Sequence, residues 1–420
     1  MHATLWKSSA VRRYFNTRTL VIALILLAIA SEIEVAYGLG VRIPNQDAEA
    51  IGRGNAFVAT ANNPSAIYYN PAGITQLKGH NLQAGALNYL GLTSTYRSPS
   101  GRESETEYEI VPVPQVYYAF TPNESPLSCG LGLYAPFGLG IEWPNDTGFR
   151  TLALESRLLY VTLNPVVAYQ IYPTLSVAAG PTLSYSKLEL RQGIGLGVPN
   201  DEFRYEGDAF SVGFSAGLLW QPFTKWFVGA SYKSPTSLHY RGEAELKPYA
   251  PATGSRADAD FPQMVSGGIS FRPTERWNIE AAADWTDWNC VDTLVFEDAN
   301  PIFSSDVQLP LNWRSSWFYH FGVTHYFPNG YFASIGYFFS ENSTSERNFT
   351  PYVPDTDLHV GSIGAGYKGT RWNFALAAQL ITGPWREVDD HQSPSLIGET
   401  ANGKYQFFVP AVSFSLGFRF

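Results

Sequence analysis

Residues 412–420 read VSFSLGFRF, and this stretch decides the class of fold. Apolar side chains stand at every second position: Val412, Phe414, Leu416, Phe418 and Phe420. The residues between them are small or polar, and this two-residue period predicts a β-strand with one apolar and one polar face. In a soluble sheet the apolar face would cover a core. In a membrane barrel it would face lipid, and the polar face would line the lumen.

The same alternation recurs at 317–327, 331–339 and 372–380, where aromatic residues concentrate near the segment ends. A membrane barrel needs such aromatic girdles where its strands cross the lipid–water boundary. The aromatic end of the last strand, Phe420, also resembles the carboxy-terminal signature of bacterial outer-membrane proteins. These segments favour a membrane barrel over a large soluble β-protein.

Composition agrees with a β-protein that contacts lipid. Aromatic residues make up 15% of the 420 residues and charged residues another 15%, whereas soluble proteins carry about 25% charged residues. The 45% share of hydrophobic residues excludes a disordered chain. After residue 30 no apolar run approaches the ~20 residues of a membrane-spanning helix, which excludes a polytopic helical protein. The net charge of −9 disfavours nucleic acid as a partner.

Short and long connections alternate along the chain. Short turns, most of them with proline, are predicted at 121–126, 172–173, 222–225, 272–276, 327–330 and 368–371. Longer polar segments lie between them, at 97–106, 138–156, 191–207, 247–260, 298–311, 344–356 and 389–402. We therefore predict an all-β fold for residues 79–420, a transmembrane antiparallel up-and-down β-barrel of 14 strands with tight periplasmic turns and long outer loops.

The amino terminus predicts export. Residues 1–30 combine a basic stretch, which contains Lys7 and Arg18, with the apolar run 20–30 and no acidic side chain. This pattern is typical of a cleaved secretory signal peptide. We expect cleavage after Ala30, with Ala36 as the alternative, and location of the mature barrel in a Gram-negative type of outer membrane.

Residues 31–78 do not read as strands, because they are rich in glycine, small residues and Asn-Pro pairs. A segment of about this length before the first strand is too long for a simple connection. We predict that it fills the barrel lumen as an N-terminal plug, or hatch.

Motifs in this segment resemble a known family. Residues 52–57 (GRGNAF), 62–65 (NNPS) and 70–73 (NPAG) are similar to the hatch of the FadL-type outer-membrane transporters for long-chain fatty acids and aromatic hydrocarbons. Residues 130–138 (GLGLYAPFG) and 163–169 (LNPVVAY) are similar to later strands of the same family. The resemblance spans the chain, and its specific parts are the hatch and the third strand.

The resemblance implies an uptake channel for hydrophobic compounds, first of all long-chain fatty acids, that works by passive, ligand-gated diffusion. Aromatic hydrocarbons by the same route are the alternative, and a general porin or a structural outer-membrane barrel is another. The hatch motif would consist of Asn70, Pro71, Ala72 and Gly73. The family has a kink in the third strand that forms a side exit.

Prolines in two neighbouring strands agree with such an exit, because proline cannot donate to a strand ladder. Turn 121–126 makes paired residue numbers sum to about 247, so that Pro112 would lie opposite residue 135. The candidates for the lateral exit are Pro112, Pro114, Gly130, Gly132, Tyr134, Pro136, Phe137 and Gly138. Local bulges would explain the same prolines, and Pro165 and Pro181 form a similar pair in strands four and five.

Other chemistry is weakly indicated. Residues 213–217 (GFSAG) match a nucleophile-elbow pattern at Ser215, but they lie in an alternating strand with no helix after it. The seven histidines stand singly, without metal-ligand spacing, and Cys129 and Cys290 are too far apart to suggest a disulfide framework. We expect no catalytic residue, metal or cofactor. The expected partners are a hydrophobic small molecule, outer-membrane lipid and lipopolysaccharide, with the protein a monomer.

Overall fold

The computed structural model describes residues 41–91, 93–300, 305–392, 395 and 397–420. The predicted signal peptide and residues 31–40 of the predicted plug lie outside the described residues.

The described residues form twenty-one strands in one antiparallel sheet. The strands are β1 (Gly79–Leu90), β2 (Thr93–Arg97), β3 (Glu103–Glu105), β4 (Ile110–Thr121), β5 (Leu127–Glu142), β6 (Glu155–Tyr172), β7 (Leu175–Gly193), β8 (Glu202–Phe223), β9 (Trp226–Lys233), β10 (Thr236–Lys247), β11 (Ala250–Phe261), β12 (Met264–Thr274), β13 (Trp277–Thr286), β14 (Thr293–Asn300), β15 (Ser305–Pro310), β16 (Ser316–Tyr326), β17 (Tyr331–Ser340), β18 (Leu358–Lys368), β19 (Trp372–Thr382), β20 (Arg386–Val388) and β21 (Gly403–Arg419).

These strands build a closed barrel with fourteen positions around its wall. Four positions hold two consecutive strands each, β9 with β10, β11 with β12, β13 with β14 and β15 with β16. The short strands β2, β3 and β20 extend the rim. The barrel closes because β1 pairs with β4 on one side and with β21 on the other, from Asn81↔Arg419 to Tyr89↔Ala411. The prediction of a 14-strand antiparallel barrel is confirmed.

The last strand is oriented as its alternation predicts. On β21 the side chains of Phe414 and Leu416 are exposed on the outer surface, whereas those of Ser413 and Ser415 are buried inside. Since lipid rather than water surrounds the middle of the barrel, apolar side chains face outward there and the polar face is left for the interior.

All six predicted short turns join neighbouring strands of the wall. Two predicted outer loops are wrong. The segment 298–311 contains strand β15 and the end of β14, and most of 247–260 forms strand β11, joined to β10 by a tight hairpin. Its outward residues, such as Arg256 and Asp258, are polar and exposed, whereas Ala257 between them is buried. Water rather than lipid surrounds this part of the wall, so its outer face is polar. The sequence of the strand therefore resembles that of a loop.

Short helices lie among these strands. Two α-helices, Ala48–Ile51 and Ala66–Tyr69, and a 3-10 helix at Pro71–Gln76 precede β1, and a second 3-10 helix at Trp288–Cys290 separates β13 from β14. In the described part of the chain, no helix is long and apolar enough to cross a membrane.

Candidate functional site

Residues 41–78, called here the N-terminal segment, lie against the inner face of several strands, and all of them except Asn62, Gln76 and Lys78 are buried. Close approaches are possible where the wall carries glycine. A Cβ on Gly364 of β18 would lie 2.7 Å from Gly52 Cα, and one on Gly229 of β9 would lie 2.1 Å from the Val58 carbonyl oxygen. Glycine has no Cβ, so the backbone of the segment can lie directly on the wall.

A substitution at one of these contacts tests the packing. We expect Gly364→Ala to lower the free energy of unfolding by about 1–3 kcal/mol, because the added methyl group overpacks the contact with Gly52. Urea unfolding followed by tryptophan fluorescence measures the change. Gly361→Ala, on the same strand but with nothing within 4 Å of the added Cβ, is the matched control and should leave stability unchanged. Equal effects of the two substitutions would contradict the contact.

The motif at residues 70–73 ties the N-terminal segment to the wall. Asn70 Nδ2 donates to the carbonyl of Val58 (2.8 Å) and to that of Leu218 in β8 (2.9 Å). Its Oδ1 accepts from the backbone N–H of Ala72 (3.2 Å), which caps the 3-10 helix that starts at Pro71. One buried amide therefore holds the local turn and fixes it to the barrel.

Buried charges in the segment are paired with charges on the wall. Arg42 Nη2 lies 2.6 Å from Asp284 Oδ2 of β13, and His320 Nε2 of β16 lies 3.1 Å from the same oxygen. Nearby, Glu280 accepts from Thr60 Oγ1 (2.5 Å) and lies 3.6 Å from Arg53 Nη2. Such charges are retained in an interior only when partners replace water, so loss of one partner is costly.

A further acidic group of the segment, Asp47, accepts hydrogen bonds from Gln83 of β1 (2.6 Å), from Ser415 of β21 (2.7 Å) and from Asn63 (2.8 Å). Burial, together with the nearby Glu49 carboxylate, raises the pKa of Asp47 above its ordinary value. The Glu49 carboxylate is itself paired with Lys368 of β18 (2.6 Å).

The ladder between the second and third barrel strands is incomplete. β4 pairs with β5 from Phe120↔Cys129 to Val116↔Leu133, and among the described residues no further pair follows between 110–115 and 134–142. The two sides meet again at the rim, where the Glu107 N–H donates to the carbonyl of Glu142 (2.9 Å). This unpaired stretch is called the β4–β5 gap.

The observed register corrects the predicted one. With Val116 opposite Leu133, continuation of the ladder would place Pro114, not Pro112, opposite residue 135. The turn closes one residue later than the sequence suggested. Pro112 and Pro114 nevertheless both lie in the gap, where a missing N–H donor costs no strand pairing with β5.

On the other side of the gap, β5 keeps its pairing with β6 but shifts register between Tyr134 and Phe137, around Pro136. Tyr134 and Phe137 are buried inside the barrel. Gly130 and Gly132 lie below the kink, where a Cβ would lie 2.8–2.9 Å from the side chain of Ile67. They make room for the N-terminal segment rather than bend the strand.

The second proline pair behaves differently. β6 and β7 pair on both sides of Pro165, from Leu163↔Leu183 and again from Val167↔Ala179, and Asn164 Nδ2 donates to the carbonyl of Pro181 (2.8 Å). This break is short and bridged. The sequence could not separate the two proline pairs, but the extent of the unpaired backbone does.

Residues 41–46, called here the strap, lie along the inner side of the kink. The Gly138 N–H donates to the Val41 carbonyl (2.9 Å), and the Ile43 N–H donates to the Pro136 carbonyl (2.8 Å). Gln46 Nε2 also donates to the Ala135 carbonyl (2.7 Å). The strap therefore satisfies backbone groups of the kinked strand. Sequence analysis missed it, and the alternating Val-Arg-Ile before Pro44 is the signal that could have found it.

An apolar cavity of about 310 Å³ lies inside the outer part of the barrel. Its walls include Leu188, Tyr240, Trp288 and Trp313, and the two indoles meet edge to face with ring centroids 5.1 Å apart. Val41 of the strap lines the same cavity. These residues come from distant parts of the sequence, which is why no motif indicated them.

The remaining residues that the sequence offered for catalysis, disulfide formation or metal binding have structural roles instead. Ser215 is buried in the middle of β8, not at a strand-to-helix turn, and its Oγ donates to Asn164 Oδ1 (3.2 Å). Cys129 and Cys290 are free thiols. His320 is buried, whereas His325 lies against the Trp277 ring. Among the described residues, no group of acidic, histidine or cysteine side chains could hold a metal ion.

A closed antiparallel barrel with apolar residues outside, a polar inner face and an apolar cavity under its rim defines an outer-membrane channel. Residues 27–391 match the family model "Outer membrane protein transport protein (OMPP1/FadL/TodX)". The chain belongs to this family, as the hatch and third-strand motifs suggested. It is an outer-membrane transport channel for hydrophobic small molecules and not an enzyme.

Relatives agree with this assignment. Outer membrane protein P1 of Haemophilus influenzae is 22% identical over 378 residues, which cover 76% of this chain and 81% of that protein. The 47 kDa outer membrane protein of Pasteurella multocida is 24% identical over 391 residues, 84% of this chain and 88% of that protein.

Solved structures share the fold. A FadL homologue from Pseudomonas aeruginosa superposes with a TM-score of 0.74 at 18% identity, covering 91% of this chain and all of that one. The toluene transporter TbuX of Ralstonia pickettii has a TM-score of 0.69 at 16% identity, covering 89% of this chain and 98% of that one.

Proposed function

We propose that the chain carries long-chain fatty acids passively through the outer membrane. In this proposal residues 31–78 form a plug in the barrel of residues 79–420, a ligand binds in the apolar cavity, and it leaves sideways through the β4–β5 gap. A passive route is sufficient because an apolar solute gains free energy when it passes from water into lipid.

The observation that carries this proposal is the double role of Val41. Its side chain lines the cavity, and its carbonyl accepts from Gly138 at the kink. A ligand that fills the cavity thus touches the segment that covers the gap. If the ligand binds more tightly when the strap is displaced, ligand binding shifts the population toward the open gap.

Arg42 favours a ligand with a carboxylate. It lies beside the cavity in a small adjoining space of about 40 Å³, which shares Val41, Trp288 and Trp313 with the larger one. Its Nη1 and Nη2 donate to Thr286 and Asp284, whereas its buried Nε has no hydrogen-bond partner among the described residues. A carboxylate in the adjoining space could accept from this nitrogen, since arginine presents a planar fork of donors.

Uncharged aromatic hydrocarbons are the second candidate. The edge-to-face pair of Trp288 and Trp313 offers aromatic ring contacts in the cavity. The similar fold of a protein described as a toluene transporter supports the same choice. A cavity of about 310 Å³ lies at the lower end of the ~300–1,000 Å³ typical of small-molecule sites.

Arg42→Lys separates the two candidates. Lysine keeps a positive charge for Asp284 but lacks the Nε donor, so we expect the affinity for a brominated fatty acid to fall about tenfold, or about 1.4 kcal/mol. Affinity for 1,4-dibromobenzene should not change. Both probes are measured by their quenching of tryptophan fluorescence in the purified protein. An unchanged fatty-acid affinity would argue against the carboxylate contact.

A matched control is Arg97→Lys. Arg97 also pairs with an acidic residue, Glu103, but both side chains are exposed at the rim and lie away from the cavity lining. This substitution should change neither affinity, because exposed ion pairs contribute little.

A further inference from the structure

The barrel wall has a second interruption, between β11–β12 and β13–β14. The ladder ends at Asp258↔Val295 and resumes at Met264↔Thr286. Between these pairs, five residues on one side (259–263) face eight residues on the other (287–294), all of them within the described part of the chain. Unequal lengths cannot continue an antiparallel register, so the wall is open between the two segments.

The backbone of 287–294 makes its hydrogen bonds elsewhere. The 3-10 helix at Trp288–Cys290 turns the chain, and the N–H groups of Leu311 and Trp313 donate to the carbonyls of Asp292 (2.8 Å) and Val291 (2.9 Å). Since these backbone groups are satisfied within the barrel, the interruption is a built feature of the wall.

The lower edge of the interruption is closed by a polar clamp. Gln263 Nε2 donates to Asp287 Oδ2 (2.9 Å), and the Asp287 N–H donates to the Gln263 carbonyl (3.1 Å). Ser315 Oγ donates to the other carboxylate oxygen of Asp287 (2.9 Å). These contacts separate the open stretch from the regular wall below it.

The apolar cavity reaches this interruption. Its lining extends from Leu188 and Leu190 on one wall to Asp260 and Asp292, whose side chains are exposed. Cys290 lies between them, with its Sγ 3.8 Å from the Asp260 carbonyl oxygen. The cavity is therefore open sideways through the wall, and this place is called the side opening.

The side opening lies at the outer edge of the lipid-facing band. Just below it the outward side chains are apolar, with Val265 of β12, Trp285 of β13 and Trp317 of β16 side by side in the ladder. At its height and above it they are polar, as His239 and Asp258 show. Aromatic residues mark the boundary between hydrocarbon and head groups in membrane barrels.

The top of the cavity, by contrast, is covered by a loop that is bound to the wall. Tyr352 lines the cavity, its carbonyl accepts from Ser156 Oγ (2.8 Å), and its hydroxyl donates to Gln192 Oε1 (3.0 Å). Trp143 Nε1 donates to the carbonyl of the neighbouring Pro351 (2.9 Å). A ligand approaching along the barrel axis would have to break these contacts.

We propose that the side opening is the entrance through which a hydrophobic ligand reaches the cavity, from the head-group and sugar layer beside the barrel rather than from above it. The proposal rests on the proposed function of the cavity as a ligand site. A hydrophobic ligand gains free energy when it leaves water, and this opening lies at the outer edge of the lipid with the aliphatic and aromatic wall of the cavity directly behind it.

A reversible disulfide across the opening tests the entrance. Asp260→Cys is combined with the native Cys290 in a Cys129→Ser background, and the tryptophan quenching by dibromostearate and by 1,4-dibromobenzene is followed in time. A closed entrance slows arrival and departure alike, so we expect association and dissociation rates of the oxidised protein to fall about tenfold with the Kd unchanged. Reduction should restore both rates.

The matched control is a disulfide in the intact wall just above this height. Arg241 and Arg256 are directly paired in the β10–β11 ladder, and their exposed side chains are not part of the cavity lining. Arg241→Cys with Arg256→Cys, in a background without Cys129 and Cys290, should leave both rates unchanged after oxidation.

A second measurement tests the entrance if the disulfide forms incompletely. In the Cys129→Ser background, Cys290 is alkylated with N-benzyliodoacetamide at alkaline pH, where the thiolate displaces iodide, since burial raises the pKa of this thiol to about 11. We expect the same slowing of both rates. Unchanged rates after complete cross-linking or alkylation would overturn the side entrance. Absence of saturable quenching in the untreated protein would instead contradict the cavity as a ligand site.

Discussion

Deletion of residues 31–76 should raise the single-channel conductance about tenfold or more while the barrel still folds. The inner face of the wall carries polar side chains, and without the N-terminal segment water and ions would fill the lumen, as in open porins. Conductance in planar bilayers measures the effect. Equal conductance of the shortened and the complete protein would contradict the plug.

The control for this experiment is to check that the shortened barrel still folds. Deletion removes Arg42 and Arg53, which leaves Asp284 and Glu280 without their cationic partners from the N-terminal segment. Water in the emptied lumen can solvate these carboxylates, so the barrel should still show the heat-dependent shift on gels that is typical of a folded outer-membrane barrel. Asn70→Ala loosens the segment without removing it and should give a smaller rise in conductance.

Closing the β4–β5 gap should nearly abolish uptake of labelled oleate or toluene while ligand binding in the cavity persists. Pro112→Cys and Gly138→Cys stand on opposite sides of the gap, in a background with Cys129→Ser and Cys290→Ser, and a short bifunctional maleimide joins them. A side exit needs backbone that is not paired across the wall, and the bridge holds the two edges together. Uptake is measured before and after cross-linking.

The control pair is Val116→Cys with Leu133→Cys, the last pair of the ladder below the gap. A link there joins strands that are already paired, so uptake should not change. If an efficient link between positions 112 and 138 leaves uptake intact, the ligand must pass through the lumen to the periplasm. Loss of binding as well as uptake would show that the link distorts the cavity.

Much of the fold could be read from local patterns. The alternation of 412–420 predicted both the strand and its outward apolar face, because a residue's side of the sheet depends only on its parity. Prolines and glycines marked the six periplasmic turns correctly. The error at 247–260 arose because the barrel wall continues above the lipid, where outward side chains are polar and an exposed strand resembles a loop.

The register of the strands and the set of residues that form the site could be determined only from the tertiary structure. A one-residue uncertainty in turn 121–126 was enough to assign the wrong partner to Pro112, since every pair of the ladder follows from where the turn closes. The sequence showed proline in two pairs of strands but could not tell which break would be bridged. That depended on Asn164, which spans one break, and on the strap, which lies along the other.

By itself the sequence determined the class of protein, the number of strands, the lipid-facing residues and the family, because each follows from short-range periodicity or from contiguous motifs. Only the tertiary structure decided the pairing of Arg42 with Asp284, the contact of Val41 with both cavity and kink, and the side opening beside Cys290. The pairing of Arg42 with Asp284 alone joins residues 242 positions apart. The geometry of these features depends on how the closed wall brings distant strands together, and no local pattern records it.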